Sequence, residues 1–285
     1  MSDIRFWLLL QSIDGIGPVT YKNLLDRFQD PKLVFEADLK ELATIPKLGQ
    51  KIIERIIHAK QKINDIDLIL EQLRNKNINV ITITEQRYPE KLHKLTNPPP
   101  IIYLWKELPK DKTVGIIGTR DASQFSKEKA TEFATGLSKA GYSIISGYAK
   151  GVDTAAHFGA VTNQGKTVAI LPTGILKFTI HEELSEISEE FLNRSTILSE
   201  FFPLSEWSVG NALSRNRLTA TLSDFILVIE SGDSEGTVNT AEHAKELDKL
   251  VYVYNGIKSP MDEKIKQLGA IRVDNVSDLL AKVNS

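Results

Sequence analysis

The chain has 285 residues with a net charge of −2, and 41% of them are hydrophobic, which is enough for a buried core. The absence of cysteine excludes disulfides, thiolate nucleophiles and cysteine-based metal sites, and the five histidines are too scattered to suggest a metal cluster. No apolar run approaches the roughly 18 residues of a membrane span, and the N-terminus has no secretory-signal pattern. We therefore expect a cytoplasmic protein without membrane contact, cofactor or metal. Because the net charge is slightly negative, any site for an anionic ligand must be a local cluster of Lys and Arg.

Residues 1–65 are predicted to form a small all-helical domain. Two similar stretches, 13–18 and 42–49, combine hydrophobic residues with glycine and proline, and each is followed by a helical pattern. This pairing is typical of tandem helix-hairpin-helix (SAM-like) units, whose glycine-rich turns can present backbone N–H groups to a phosphate. Because the neighbouring charges nearly cancel, we favour the alternative in which both turns only pack the bundle.

Residues 66–110 are predicted to bridge this domain and a larger one. A helix over 66–75 leads to an alternating strand over 79–84, and three successive prolines follow at 98–100. Proline fixes φ and lacks the backbone N–H, so we expect an extended connector with no regular element there. The third unit then covers residues 111–285.

From residue 111 onward, apolar strands alternate with amphipathic helices. Continuous apolar strands in this alternation are typical of a parallel sheet covered by helices on both faces. The predicted fold class is therefore α/β, with a Rossmann-like, doubly wound and mainly parallel sheet preceded by the helical domain. The predicted strands are 114–118, 142–145, 167–171, 196–198, 225–229 and 251–254.

Four loops rich in Gly, Ser and Thr follow predicted strands, at 118–120, 146–151, 172–174 and 231–237. In a parallel sheet such loops meet at one edge, where helix N-termini attract phosphate. A single loop of this kind often only makes a turn, but four with basic residues nearby indicate an anionic ligand. None matches a Walker loop or the dinucleotide fingerprint. The residues predicted to bind the phosphates of this ligand are Gly118, Thr119, Arg120, Ser146, Gly147, Lys150, Gly151, Lys177, Arg215, Asn216, Arg217, Gly236 and Thr237.

Candidates for catalysis are few, and we predict no catalytic residue. His157 lies on a predicted helix, where histidine more often packs than transfers a proton. Glu200 and Glu230 end strands, where paired carboxylates could act on a glycosidic bond. We favour instead an ion pair of Glu200 with Arg215 or Arg217.

The ordered set of these motifs resembles the DNA-processing protein A family, also called DprA or Smf. The similar stretches are 118–120, 146–157, 198–200, 215–218 and 236–241. The resemblance implies a protein without enzymatic activity that binds and protects single-stranded DNA in natural transformation, helps to load the RecA recombinase and forms a homodimer. It further implies a DNA pocket lined by Arg120, Lys150, Lys177 and residues 215–217.

Two features depart from the pattern of that family. The stretch 176–180 lacks the usual Asp-x-x-Tyr-Pro loop, and Glu235 places a carboxylate near the predicted anion site. Both departures put part of the pocket in question.

An alternative function is a nucleotide-binding sensor or a nucleoside-monophosphate phosphoribohydrolase of the lysine-decarboxylase-like Rossmann group. The loop 231–237, with Thr240 and Glu242 behind it, is similar to the Pro-Gly-Gly-x-Gly-Thr loop and following Glu of those enzymes. The N-terminal helical domain argues against this alternative, because small nucleotide enzymes do not need one. A scaffold that binds RecA or another partner without DNA would leave the clustered cations unexplained.

Overall fold

The computed structural model describes residues 3–233 and 235–284, and its first part is a bundle of short helices. Pro18 occupies the first turn of one helix, and Asp38 forms a capping box with Glu41 at the start of another. Trp7 and Leu24 are fully buried in the core of the bundle. The helices are α1 (Ile4–Gln11), α2 (Pro18–Phe28), α3 (Pro31–Val34), α4 (Leu39–Ala43), α5 (Gln50–Ala59) and α6 (Ile63–Asn75).

Nine strands form one sheet in the described part of the chain, in the order β1-β2-β6-β5-β4-β3-β7-β8-β9. The strands are β1 (Ile78–Thr82), β2 (Ile101–Trp105), β3 (Lys112–Ile117), β4 (Tyr142–Ser146), β5 (Thr167–Ile170), β6 (Ser195–Ser199), β7 (Phe225–Val228), β8 (Val251–Tyr254) and β9 (Ile271–Val273). Strands β3 to β9 run parallel, whereas β2 is antiparallel to both β1 and β6. The predicted α/β class with a mainly parallel sheet is confirmed.

Helices cover both faces of the sheet. Ile116 packs against one set of helices and Ile117 against the other, because successive side chains of a strand point to opposite faces. None of the described helices is long and apolar enough to cross a membrane. The first face carries α8 (Gln124–Lys139), α9 (Val152–Thr162), α10 (Ser188–Arg194) and α14 (Val276–Val283), and the second carries α7 (Glu90–His93), α11 (Val209–Leu222), α12 (Gly236–Glu246) and α13 (Asp262–Gln267).

The helical domain packs directly against the sheet. One buried cluster joins Trp7 of α1 to Tyr103 of β2 and Ile197 of β6. The side chain of Gln11 also accepts a hydrogen bond from the Tyr103 hydroxyl at 2.6 Å and donates one to the Glu200 carbonyl oxygen at 2.8 Å. Because β6 ends at this contact, the domain supports the sheet beside the strand ends where the candidate site lies.

The segment 66–110 differs from the prediction of a bridge with a structureless connector. The prolines at 98–100 lie outside regular structure, but β2 begins at the next residue and pairs with β6, with Tyr103 opposite Ser199. Strand β1 then pairs with β2 and extends the same sheet. Strand β2 was not among the predicted strands, and this segment belongs to the sheet rather than linking two separate bodies.

The chain reverses its direction of winding between β3 and β7. These strands are neighbours, but β4 lies on the far side of β3 and β8 on the far side of β7. The loops that leave β3 and β7 therefore diverge, and a crevice opens between them at the carboxyl ends of the strands, which is where doubly wound sheets bind ligands.

Candidate nucleic-acid interface

The loops after β3 and β4 fit tightly against each other and against α11. Gly151 has a φ of +79°, and a Cβ at this position would collide with the Thr119 carbonyl oxygen. Gly147 lies against the Arg215 guanidinium, which leaves no room for a side chain. The Thr119 N–H donates to the Glu230 carbonyl oxygen at 2.8 Å. The fold itself therefore fixes the position of both loops, and glycine is needed where they touch.

Arg215 is a buried cation beneath this edge of the sheet, with 4% of its surface exposed. Its Nη1 donates to the Ile170 carbonyl oxygen at 2.7 Å, and its Nε has no hydrogen-bond partner among the described residues. Burial lowers the pKa of Arg215 to about 10, although the nearby Asp153 opposes the shift. The guanidinium is therefore still protonated at neutral pH and leaves one donor unsatisfied.

A cavity of about 470 Å³ opens beside Arg215, where the loops after β4 and β5 meet. We call it the basic cavity, because the described residues on its wall include the cations Arg120, Lys150, Lys177 and Arg215 but only one carboxylate, Asp121. Arg120 and Lys150 are exposed, whereas Lys177 forms an ion pair with Glu206. Because the net charge of the chain is −2, a site for DNA needs a local concentration of positive charge, and the basic cavity has one.

Aromatic side chains form part of the wall of the basic cavity. The ring of Tyr148 lies 4.3 Å from His181 and 5.3 Å from Phe178, measured between centroids. Burial lowers the pKa of His181, with Glu183 opposing the shift and Lys150 reinforcing it. His181 is therefore neutral at neutral pH, and the charge of the cavity comes from its Lys and Arg side chains.

A second cavity, of about 590 Å³, lies at the switch point between β3 and β7. We call it the acidic cavity, because its described wall carries the carboxylates Asp121, Asp153, Glu230, Asp233 and Glu235 against the cations Arg120 and Arg215. The first residues of α12, Gly236 and Thr237, also line it, and Glu235 pairs with Lys264 at 2.7 Å. Although a helix N-terminus attracts anions, so many carboxylates make this wall a poor phosphate site.

Most of the predicted site residues meet at the two cavities. Arg120 and Arg215 line both cavities, and Lys150 and Lys177 line the basic cavity. Six others line only the acidic cavity: Gly118, Thr119, Gly147, Asn216, Gly236 and Thr237. The Asn216 side chain donates to the Gly236 carbonyl oxygen at 3.0 Å, so it anchors the start of α12.

Three residues predicted to contact phosphate, Ser146, Gly151 and Arg217, line neither cavity. The Ser146 hydroxyl donates to the Ile116 carbonyl oxygen at 2.6 Å and ties β4 to β3. Gly151 shapes the loop through its backbone conformation. Arg217 forms the predicted ion pair with Glu200, which leaves its charge neutralised away from the cavities.

The candidate carboxylate for nucleotide cleavage, Glu242, does not line the acidic cavity either. Thr240 lines the acidic cavity, whereas Glu242 is exposed and does not line it. Among the described residues, no three His, Asp or Glu side chains are grouped so as to hold a metal ion. Glu242, the candidate carboxylate of the phosphoribohydrolase alternative, therefore does not reach the acidic cavity.

Trp207 is a site residue that sequence reasoning missed. It lines both cavities, is half exposed, and its ring centroid lies 5.6 Å from the Arg120 guanidinium carbon. The available signal was a tryptophan in a polar stretch, Ser205 to Ser208, just before a helix. An aromatic residue in such a stretch has no core position to fill, and this observation alone could have marked it.

The fold and the cavities define a Rossmann-like α/β protein with a cationic pocket at the carboxyl edge of its sheet and a helical domain in front. A family model for DNA recombination-mediator protein A matches residues 79–284, and one for a SAM-like helix-hairpin-helix tandem matches residues 8–62. The first match covers most of the sequence, and the chain belongs to the DNA recombination-mediator protein A family. The resemblance to DNA-processing protein A and the helix-hairpin-helix class of the first domain are confirmed.

Similar proteins cover nearly the whole chain. Protein Smf of Synechocystis sp. is 31% identical over 257 residues, which are 88% of this chain and 64% of that protein. The X-ray structure of DNA processing protein A from Streptococcus pneumoniae superimposes with a TM-score of 0.76 at 24% identity, over 99% of this chain and 98% of that one. DNA processing protein A from Helicobacter pylori, described for its single-stranded DNA binding mode, gives a TM-score of 0.62 at 25% identity over 72% and 96%. The chain thus spans less than two thirds of the length of the Synechocystis protein.

Proposed function

We propose that this chain binds single-stranded DNA and holds its phosphates in the basic cavity. The observation that carries the proposal is the convergence of Arg120, Lys150 and Lys177 on one cavity of a chain whose net charge is −2. Beneath them, Arg215 adds a buried positive charge with an unsatisfied Nε. The Helicobacter pylori relative, described as a single-stranded DNA binder, supports the same ligand for this chain.

The shape of the site favours a single strand over a duplex. The basic cavity is recessed between loops, so a DNA backbone must bend for its phosphates to enter. A single strand is flexible enough to bend in this way. A duplex presents its phosphates on a stiff convex surface and cannot follow the recess. The negative net charge also gives duplex DNA little non-specific attraction.

We further propose that the bound strand is protected and handed to the RecA recombinase in natural transformation, by a cytoplasmic homodimer. The support is the family relationship, because its members are named as mediators of recombination. Sedimentation at micromolar concentration should give a species about twice the monomer mass of 31.8 kDa. A monomer alone, with and without oligo-dT, would contradict the homodimer but leave strand binding untouched.

We propose that the chain acts without catalysis. The phosphoribohydrolase alternative needs a carboxylate behind the glycine loop, and Thr240 stands at the cavity in its place. Purified protein should therefore release no adenine from AMP. Release of adenine that disappears in Glu242→Gln would favour the enzyme instead.

The decisive test of strand binding is fluorescence anisotropy with labelled oligo-dT over a range of salt. Affinity should fall with salt by about 0.7 log unit per phosphate contact per tenfold increase. Arg120→Ala should cost about 1.5–3 kcal/mol, the range for a hydrogen bond to a charged group. Arg272→Ala is the matched control, because Arg272 is an exposed arginine on β9 that lines neither cavity. Equal affinities of the two variants would overturn the assignment of the site.

A further inference from the structure

Trp207 occupies the boundary between the two cavities. It precedes α11, is 50% exposed and lines both cavities. The Arg120 guanidinium carbon lies 5.6 Å from its ring centroid, within the range of a cation–π contact. A large, half-exposed aromatic ring therefore lies beside Arg120, the exposed cation of the proposed phosphate site.

The apolar surface continues from Trp207 onto the first turns of α11. Val209 and Leu213 are 62% and 41% exposed, and both line the acidic cavity. Trp207, Val209 and Leu213 thus form an apolar strip next to charged walls. Exposed apolar strips with a polar rim are typical of binding sites. Arg120 lies against the Trp207 end of the strip, on the side of the basic cavity, and favours a ligand that carries an apolar face and an anionic group close together.

A nucleotide has this combination of groups, since a flat base and a charged phosphate are joined through one sugar. We propose that Trp207 is a stacking platform for an unpaired base of the bound strand, with Arg120 holding a neighbouring phosphate. This inference rests on the proposed binding of single-stranded DNA and adds the means by which the bases are held. Lys150 and Lys177 line the basic cavity on the other side of Trp207 and would take the next phosphates.

The proposal also predicts what kind of strand is chosen. Every base has a flat face, so stacking tolerates any sequence. A duplex has its bases already stacked and paired, and it cannot offer one to Trp207. The strip therefore adds to the preference for unpaired strands that the recessed basic cavity already gives.

The experiment compares oligo-dT with an abasic strand of the same length, which has the same phosphates but no bases. The unaltered protein should bind oligo-dT about tenfold more tightly, within the range for stacking of a base on an aromatic side chain. Trp207→Ala should lose this preference and bind the abasic strand as the unaltered protein does. Trp207→Phe keeps a flat ring and should retain most of the preference. Phe158→Ala, which removes an exposed aromatic that lines neither cavity, is the matched control.

Each remaining outcome separates stacking from strand binding. Equal affinity of the unaltered protein for both strands overturns the stacking platform, while the proposed function stands. An equal loss for both strands in Trp207→Ala also overturns it, because Trp207 would then only position Arg120. Failure to bind either strand overturns the proposed function itself. Retention of the preference in Trp207→Ala overturns the assignment to Trp207, because the rings of Tyr148 and Phe178 also line the basic cavity. The comparison on the unaltered protein needs no variant, so it can overturn the stacking platform even where Trp207→Ala does not fold, and Trp207→Phe then tests the role of the ring at this position.

Discussion

The basic and acidic cavities lie side by side and share Arg120, Asp121, Arg215 and Trp207, but their other charges are opposite. The basic cavity takes its lysines from the loops after β4 and β5. The acidic cavity takes Glu230, Asp233 and Glu235 from the loop after β7. Both lie at strand ends beside a helix N-terminus, so backbone geometry alone does not separate them. The side chains on the loops decide which cavity can hold a phosphate.

The comparison implies that Arg217 belongs to neither cavity, although it lies two residues from Arg215 on α11. Its partner Glu200 is buried, and burial raises the pKa of Glu200 while Arg217 offsets part of that shift. Glu200→Leu leaves the Arg217 charge largely buried without a partner, and should lower the free energy of unfolding by about 3 kcal/mol. Urea denaturation would measure the loss.

A double variant provides the control for this ion pair. Glu200→Leu with Arg217→Met removes both charges and should recover most of the lost stability. Its affinity for oligo-dT should equal that of the unaltered protein, because Arg217 lines neither cavity. A clear loss of affinity in the stable double variant would return Arg217 to the DNA site.

A buried histidine behind the wall of the basic cavity makes that wall sensitive to acid. His157 packs against Tyr148 with 5.8 Å between ring centroids, and its Nδ1 lies 2.7 Å from the Thr167 hydroxyl. Burial, with the charges of His181 and Arg215, lowers the pKa of His157 to about 3. Below about pH 6.5 the unfolded chain takes up a proton that the folded chain refuses, so stability falls as pH falls.

The expected loss from His157 is about 1.4 kcal/mol per pH unit between pH 6 and 4, since one proton separates the two states there. His157→Asn removes this proton uptake and should give a shallower dependence of the free energy of unfolding on pH. His58→Asn, on the exposed side of α5, should keep the original slope. An unchanged slope in His157→Asn would mean that the folded protein already protonates this ring.

The difference in charge between the two cavities predicts how a single substitution in each changes the affinity for oligo-dT. These effects are smaller than the changes in stability expected above. Lys150→Ala should weaken binding of oligo-dT about threefold to tenfold and reduce the salt dependence by about 0.7 log unit per tenfold increase. Asp233→Asn removes an exposed charge from the acidic cavity and should leave affinity unchanged or slightly raised, because solvent screens it from the bound phosphates. Anisotropy measurements at two salt concentrations compare the two variants. If Asp233→Asn weakened binding as much as Lys150→Ala, the acidic cavity would also contact the DNA, with Asp233 accepting a hydrogen bond from it.

The sequence was sufficient for the parts of the fold that local patterns determine. The apolar run 225–229 predicted β7 to within one residue, and the strand ends located the loops that carry Arg120 and Lys150. Strand β2 was missed because three prolines precede it, and one of its two partners, β6, is nearly 100 residues away.

The distribution of charged residues between the two cavities could not be predicted from local sequence patterns. Asp121 and Asp233 reach the same cavity from different strands, and only the order of the sheet brings them together. Trp207 and Arg120 likewise meet across two distant loops. Motifs along the chain located the edge where we propose that the strand binds, whereas contacts across the sheet determine which charges line each cavity.

The smallest effect is expected in the helical domain, where Lys47 lies in the turn before α5. This turn and the one before α2 end in Gly49 and Gly17, which begin the helices without a side-chain cap. Arg55 is engaged by Asp14 at 2.8 Å, and Asp14 places an exposed carboxylate beside the first turn. The first turn therefore lacks the surplus of positive charge that the basic cavity has, and we expect both turns to pack the bundle.

Lys47→Asn should change the affinity for oligo-dT less than twofold. Asn is the better substitution because Lys47 has a φ of +64°, a conformation that Asn adopts more readily than Ala, so the charge is removed with little strain. The same anisotropy titration, run beside Lys150→Ala and repeated with duplex DNA, gives the measurement. If Lys47→Asn weakened single-strand binding while Lys150→Ala did not, the strand would lie on the helical domain and the basic cavity would not be the DNA site. A loss confined to duplex would instead assign the two turns to double-stranded DNA and leave the basic cavity as the single-strand site.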